Sequence, residues 1–162
     1  MTIEYQETDI SALDLIGPLW RKLNQYYRVR SKHFANRFDE RTFDRRKKDL
    51  LEKSNLGSLR IDLAKDLNTG ELIGYCVSTV SKDKQGEIDS IYIEPDYRHC
   101  GIGDNLMRKA LRWMDDLSVT KKILDVGAGN EEVFEFYRKY DFHPRTIILE
   151  QVDTEEPQEK RD

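Results

Sequence analysis

Residues 121–130, "KKILDVGAGN", decide the fold. An apolar run ends in an aspartate and passes into Val-Gly-Ala-Gly, as a strand does when it delivers the chain to a glycine-rich loop around a cofactor. Such a strand can open a large parallel sheet or close a smaller mixed one. What lies on either side tells the two apart.

Downstream there is little chain: 33 residues follow Gly129. They hold one helical stretch, "EEVFEFYRKY" (131–140), one strand, "RTIILEQV" (145–152), and the charged end "DTEEPQEKRD". That end has no apolar anchor, so residues 152–162 read as a disordered tail, leaving one domain over residues 1–151. Upstream, the helix "GIGDNLMRKALRWMDDLS" (101–118) places Ile102, Leu106, Ala110, Trp113, Met114 and Leu117 on one stripe. Before it the apolar period is two. "LRIDLA" and "LIGYCVSTV" flank the turn "LNTGE", and "EIDSIYIEP" follows as a third strand stopped by Pro95. The first part of the chain is helical, with Leu15, Ile16, Leu19, Trp20, Leu23, Tyr26 and Tyr27 at three- and four-residue spacing and Pro18 in a first turn or at a kink. "RSKHFANRF" reads as a loop, and "DERTFDRRKKDLLEKSN" as a second helix anchored by Phe43, Leu50 and Leu51. The order is helices, an antiparallel meander, then strand, helix, strand, helix, strand. The strand ending near Glu94 and the one starting at Lys121 are expected as parallel neighbours joined by a right-handed crossover.

Composition narrows the function. Of 162 residues, 38% are hydrophobic and 36% charged, with a net charge of −4. That suits one globular domain and disfavours general nucleic-acid binding, which needs basic surface. No apolar run approaches the ~20 residues of a membrane span, and "MTIEYQETDI" lacks the apolar centre of a leader peptide. Cys76 and Cys100 are expected as reduced thiols in a cytoplasmic protein. His33, His99 and His143 lack metal-ligand spacing, so no metal is expected.

"LDVGAGN" resembles the first motif of S-adenosylmethionine-dependent methyltransferases. That resemblance fails on length, because a doubly wound sheet cannot be built from one more helix and strand. "YRHCGIGDNL" (97–106) offers a better anion site. Gly101 and Gly103 allow close approach of backbone N–H groups at the start of a helix, whose dipole favours negative charge, and Arg98 adds a forked cation.

The longer stretch "IYIEPDYRHCGIG" (91–103) resembles the signature of the GNAT superfamily of acyl-CoA-dependent N-acyltransferases. In that signature Arg/Gln-x-x-Gly-x-Gly/Ala follows an apolar strand and a proline. The order of elements along almost the whole chain matches as well, and "FYRKYDF" is similar to the family's Phe-Tyr-x-x-x-Gly-Phe. The resemblance implies an α/β (α+β) fold with a mixed, mostly antiparallel central sheet and helices on both faces. It implies a pantetheine arm bound in a V-shaped gap beside "SIYI", so that the glycines of "GAGN" turn the chain next to CoA. The implied cofactor-binding residues are Ile91, Tyr92, Ile93, Arg98, His99, Cys100, Gly101, Ile102, Gly103, Asp104, Asn130 and Tyr137.

The resemblance further implies direct transfer of an acetyl group from acetyl-CoA to a primary amine, on a small molecule or a protein N-terminus or lysine. Backbone N–H groups around Ile91 to Ile93 would hold the oxyanion, and Tyr137 would protonate the departing thiolate. Glu87 matches the position of a catalytic glutamate in some members; Asp89, on the same strand face, and ordered water stay open as alternatives. A non-catalytic acyl-CoA-binding module is the alternative of another class. Cys100 lies too far along the loop to meet the thioester. The chain departs from the family's Arg-Gly-Lys/Arg-Gly-Ile-Gly by having His99 and Cys100, and Asp141 replaces the glycine of Gly-Phe. Asp104 places a carboxylate beside the expected pyrophosphate. A homodimer is expected from the resemblance alone, with "RTIILEQV" as an edge strand.

Overall fold

The computed structural model describes residues 1–152. The expected tail therefore lies, but for Val152, outside the described residues. A five-stranded sheet in the order β1-β2-β3-β4-β5 forms the middle layer. Strand β1 (Ile3–Thr8) pairs antiparallel with β2 (Ser58–Asp66), β2 with β3 (Leu72–Val80), and β3 with β4 (Gln85–Ile93). Strand β5 (Lys121–Leu124) runs parallel to β4, as expected. Helix α4 (Ile102–Asp116) makes the crossover between them.

Helices cover both faces. On one side Leu19, Trp20 and Leu23 of α1 (Gly17–Arg30) and Phe43 and Leu50 of α3 (Phe43–Leu56) pack on Ile61, Leu63, Tyr75 and Val77. On the other, Ile102, Leu106, Met107, Ala110 and Met114 of α4 pack on Ala64, Ile73, Cys76, Val80 and Ile88. Because both faces are covered, the central strands lose the expected alternation, and residues 73–80 of β3 are buried throughout. Cys76 lies in that packed layer, where burial pushes its thiol up to about 12.

Several elements differ from the expectation. The segment "IEYQET" is an edge strand: Ile3 and Tyr5 turn toward the α4 layer while Glu4 is exposed, a period of two hidden in an acidic stretch. Leu15 belongs to a 3-10 turn over Ile10–Ile16 and is exposed, so α1 starts later, with Pro18 in its first turn. The expected loop at 30–38 contains a short helix α2 (Ala35–Asp39), and Leu51 of α3 faces out. "EEVFEFYRKY" yields a 3-10 turn and a short helix α5 (Phe134–Arg138). The expected last strand is absent: residues 143–152 have no regular structure, and among the described residues β5 has no neighbour on its outer side. A strand needs a ladder, and none of the described residues supplies one.

Leu106 is fully buried beneath α4 and Leu51 is half exposed. Leu106→Ala should cost about 2–5 kcal/mol in urea unfolding. Leu51→Ala should stay within about 0.5 kcal/mol.

Candidate active site

The parallel ladder between β4 and β5 is short. It runs from Gln85↔Lys121 to Ile88↔Leu124 and stops there, while β4 continues to Ile93. Alternate amides and carbonyls of residues 89–93 thus face a gap with no strand in it. The break coincides with a bulge on the other edge of β4. Val77 pairs with Ser90 and Ser78 with Ile88, leaving Asp89 as the extra residue. Bulges re-aim side chains and bend strands.

At the open end of the gap the chain turns through Pro95–Tyr97 into the loop before α4. His99 (φ 60°) and Gly101 (φ 79°) are both left-handed, an arrangement that glycine tolerates and histidine adopts at a cost. Gly103 is needed for contact: a Cβ there would lie 3.2 Å from Phe136 and 3.3 Å from Ile93. Arg98 is held back from the loop. Its Nε donates to the Ile93 carbonyl at 3.0 Å, and its guanidinium lies over the rings of Tyr26 (5.2 Å) and Tyr92 (5.6 Å). Cys100 is exposed, with its thiol directed to the Arg98 carbonyl.

Asp104 turns toward α5. It accepts from the Tyr140 hydroxyl and lies 3.3 Å from Lys139 Nζ, so its charge is matched by the chain itself. The Tyr140 hydrogen bond, aided by Lys139, holds its pKa below the ordinary aspartate value. Asp141 adopts the left-handed turn (φ 60°) that its replacement of a glycine required.

The loop after β5 closes against the end of α1. A Cβ on Gly129 (φ 95°) would lie 2.1 Å from the Arg30 carbonyl oxygen, so this glycine answers to α1. Tyr26 donates to Glu132 at 2.5 Å, and Arg30 lies 3.4 Å from the same carboxylate. Asn130 is buried beneath this network, and its Oδ1 has no partner among the described residues. Asn105 Oδ1, in the first turns of α4, is likewise buried and unpaired. Tyr137 packs between Phe136 (5.3 Å) and Phe142 (6.4 Å), and burial pushes its phenol pKa well up.

On the α3 side of β4 the structure joins the two candidate carboxylates through a residue that sequence reading missed. Lys53 Nζ lies 2.8 Å from Glu87 Oε2 and 2.5 Å from Asp89 Oδ1. Thr79 Oγ1 donates to Asp89 Oδ2 at 2.6 Å. Asp89 is wholly enclosed and Glu87 a quarter exposed. Burial raises the Asp89 pKa against the pull of Lys53 and Thr79. Burial also opposes the Lys53 charge, but its bonds to Asp89 and Glu87 outweigh it and the net shift is upward. Beside this group the hydroxyls of Ser90 and Tyr75 are buried and unpaired. Lys53 could not be found in the sequence, because only the approach of α3 to β4 brings it there.

The arrangement combines a loop of left-handed residues at the start of a helix, an unpaired strand edge, orphaned amide oxygens, a buried phenol and a carboxylate pair. The family model for the GNAT family of acetyltransferases matches residues 21–142. An uncharacterized N-acetyltransferase of Methanocaldococcus jannaschii is 31% identical over 72 residues, which is 44% of this chain and 32% of that relative. The chain thus matches about a third of that relative's length. Among solved structures, a GCN5-related N-acetyltransferase from Ralstonia eutropha superposes with a TM-score of 0.73 at 19% identity, covering 93% of this chain and 99% of that one. The PaiA N-acetyltransferase of Thermoplasma acidophilum, solved in complex with coenzyme A, gives a TM-score of 0.66 at 23% identity, covering 86% and 89%. At these identities the two structures show a shared fold.

Two outcomes follow from the loop and α5. A carboxylate with a depressed pKa stabilises the fold above its unfolded value of 3.8 and loses that contribution as pH falls through the folded value. Tyr140→Phe should therefore lower stability by under ~1 kcal/mol at neutral pH, a deficit that shrinks below pH 3.8 in urea unfolding. Asp141→Gly should raise the urea midpoint, relieving up to ~1 kcal/mol of left-handed strain.

Proposed function

The chain belongs to the GNAT acetyltransferase family, and on that footing we propose that it transfers the acetyl group of acetyl-CoA directly to a primary amine in a ternary complex. The observation that carries this reading is the end of the β4–β5 ladder at Ile88↔Leu124 with β4 continuing to Ile93. A peptide-like pantetheine arm fits such an edge, because its amides can take the hydrogen bonds that a fifth-strand neighbour would have taken. The orphaned Asn130 Oδ1 is suited to accept one of its N–H groups.

The backbone of His99 to Gly103 and the start of α4 receive the pyrophosphate, with the favourable end of the helix dipole directed at it. Asp104, turned to Tyr140 and Lys139, leaves that cradle free of an opposing charge. Amides of Ile91 to Ile93 stabilise the oxyanion of the tetrahedral intermediate; losing one such donor typically costs roughly 10²–10³ in rate. Tyr137 gives its proton to the departing thiolate, and its raised pKa keeps that proton in place until it is needed. Glu87 takes the proton of the incoming ammonium, directly or through water, and Lys53 holds it and Asp89 in register. The C–N bond forms first and gives the tetrahedral intermediate; its collapse breaks the C–S bond as Tyr137 protonates the leaving thiolate, and the second proton lost by the nitrogen restores the phenol through water.

A second reading, an acyl-CoA-binding module without turnover, draws on the same contact: both carboxylates are already satisfied by Lys53. The two readings separate in one experiment. Acetyl-CoA at a hundred times its dissociation constant should add about 2.7 kcal/mol of apparent stability in thermal unfolding, and S-adenosylmethionine nothing. A screen of amines for CoA release should then find turnover that Tyr137→Phe reduces roughly 10²-fold in kcat without loss of the thermal shift. Glu87→Gln should lower the rate more at low pH than at high pH. A full thermal shift with no turnover on any amine would favour the binding module, and no shift would sink both.

A further inference from the structure

Beside the carboxylate pair, the sheet carries a second polar group that the proposed reaction leaves unused. The bulge at Asp89 sets two consecutive side chains on the face beneath α1 and α3. Asp89 bonds Lys53 of α3, and Ser90 stands opposite Val77 of the packed layer. Tyr75 pairs with Tyr92 and so lies diagonal to Ser90 on that face. It is fully buried, and neither its hydroxyl nor that of Ser90 has a partner among the described residues. Burial pushes the Tyr75 phenol well up, while Ser90 and the Arg46 charge pull the other way, so both stand near its oxygen.

Arg46 of α3 completes the group. Its Nη2 donates to the Asp89 carbonyl at 3.0 Å and lies 3.7 Å from Asp89 Oδ1. Two hydroxyl donors and a forked cation gathered at one spot are the complement of a carboxylate. Charge agrees, because Lys53 and Arg46 balance Glu87 and Asp89. A guest with an ammonium alone would leave this half-buried group with surplus charge, whereas an ammonium together with a carboxylate leaves it neutral. Spacing agrees as well. Thr79 and Val77, the ladder partners of Glu87 and Ser90, are two residues apart, so Glu87 and Ser90 start about 7 Å apart along β4. One small amino acid spans that distance.

We infer that the acceptor is a small amino acid, an amine bearing its own carboxylate, and that Arg46, Tyr75 and Ser90 receive this carboxylate while the amine meets Glu87. The inference names the acceptor within the acetyl-transfer reading and rests on it. Both hydroxyls are sealed from solvent and Arg46 is 23% exposed. The guest therefore meets the cation first and reaches the hydroxyls as Arg46 swings from the Asp89 carbonyl.

The test sets each standard amino acid, β-alanine and γ-aminobutyrate against its own carboxamide, which keeps the amine and loses the negative charge. Calorimetry on the full chain saturated with CoA reads binding without turnover, and CoA release from acetyl-CoA reads transfer. At least one amino acid should bind about 10- to 100-fold more tightly than its carboxamide. Arg46→Gln should erase that preference and keep the thermal shift given by acetyl-CoA. Tyr75→Phe should weaken amino-acid binding about 10-fold without lowering the urea midpoint of the protein alone, whereas a hydroxyl with a merely structural role would cost stability. Carboxamides that bind as tightly as amino acids overturn the inference and leave the acetyl-transfer reading intact. So does a preference that survives Arg46→Gln, or the failure of every amino acid to bind. Binding that depends on Arg46 but yields no CoA release would sink the acetyl-transfer reading and leave the carboxylate site standing.

Discussion

The ladder between β4 and β5 stops at Ile88↔Leu124, and the site is built around that stop. A longer ladder would fill the gap with protein, and no ladder would leave β5 unanchored. The bulge at Asp89 supplies the bend, and the helical crossover α4 supplies the parallel neighbour. Parallel strands need such a crossover, so the helix whose first turn meets the loop of His99 to Gly103 is the same helix that delivers β5. Fold and proposed anion site are therefore one constraint. The amphipathic stripe of Ile102, Leu106, Ala110 and Met114 fixes the helix on the sheet, and the loop inherits its position from that packing.

Charges around the gap are mostly balanced within the chain. Asp104 is matched by Tyr140 and Lys139, Arg98 rests on Tyr26 and Tyr92, and Glu87 and Asp89 share Lys53. Among the described residues the buried side-chain atoms that stay unpaired are neutral: Asn130 Oδ1, Asn105 Oδ1 and the hydroxyls of Ser90 and Tyr75. A buried neutral group without a partner costs far less than a buried bare charge, so these positions are where a site can wait for a ligand. Among the described residues no helix is long and apolar enough to cross a membrane.

Much of this was legible in the sequence because it rests on period and punctuation. The change from helical spacing to alternation at residue 59, the stop at Pro95 and the stripe of α4 located the meander, the loop and the crossover correctly. Asp141 stands where the resembling family keeps a glycine, and it adopts the left-handed turn that this replacement implies. What failed depended on partners that a local pattern does not contain. Strand β1 was hidden because its outward residues are acidic, and only pairing with β2 marks it. The strand expected at 145–152 has the right composition but no neighbour among the described residues. At Gly129 the sequence did not disclose the close approach of the Arg30 carbonyl, a contact across about a hundred residues. Lys53 was invisible for the same reason: an exposed-looking lysine in a charged helix becomes part of the site only through tertiary packing.

The most direct measurement is amide hydrogen exchange of the protein with and without acetyl-CoA. Occupation of the gap predicts slowed exchange in two patches, residues 89–93 of β4 and the loop 98–103, with the far edge at β1 unchanged. Slowing confined to residues 125–130, or an equal effect from S-adenosylmethionine, would place the ligand at the Val-Gly-Ala-Gly turn and contradict the assignment of the gap to CoA.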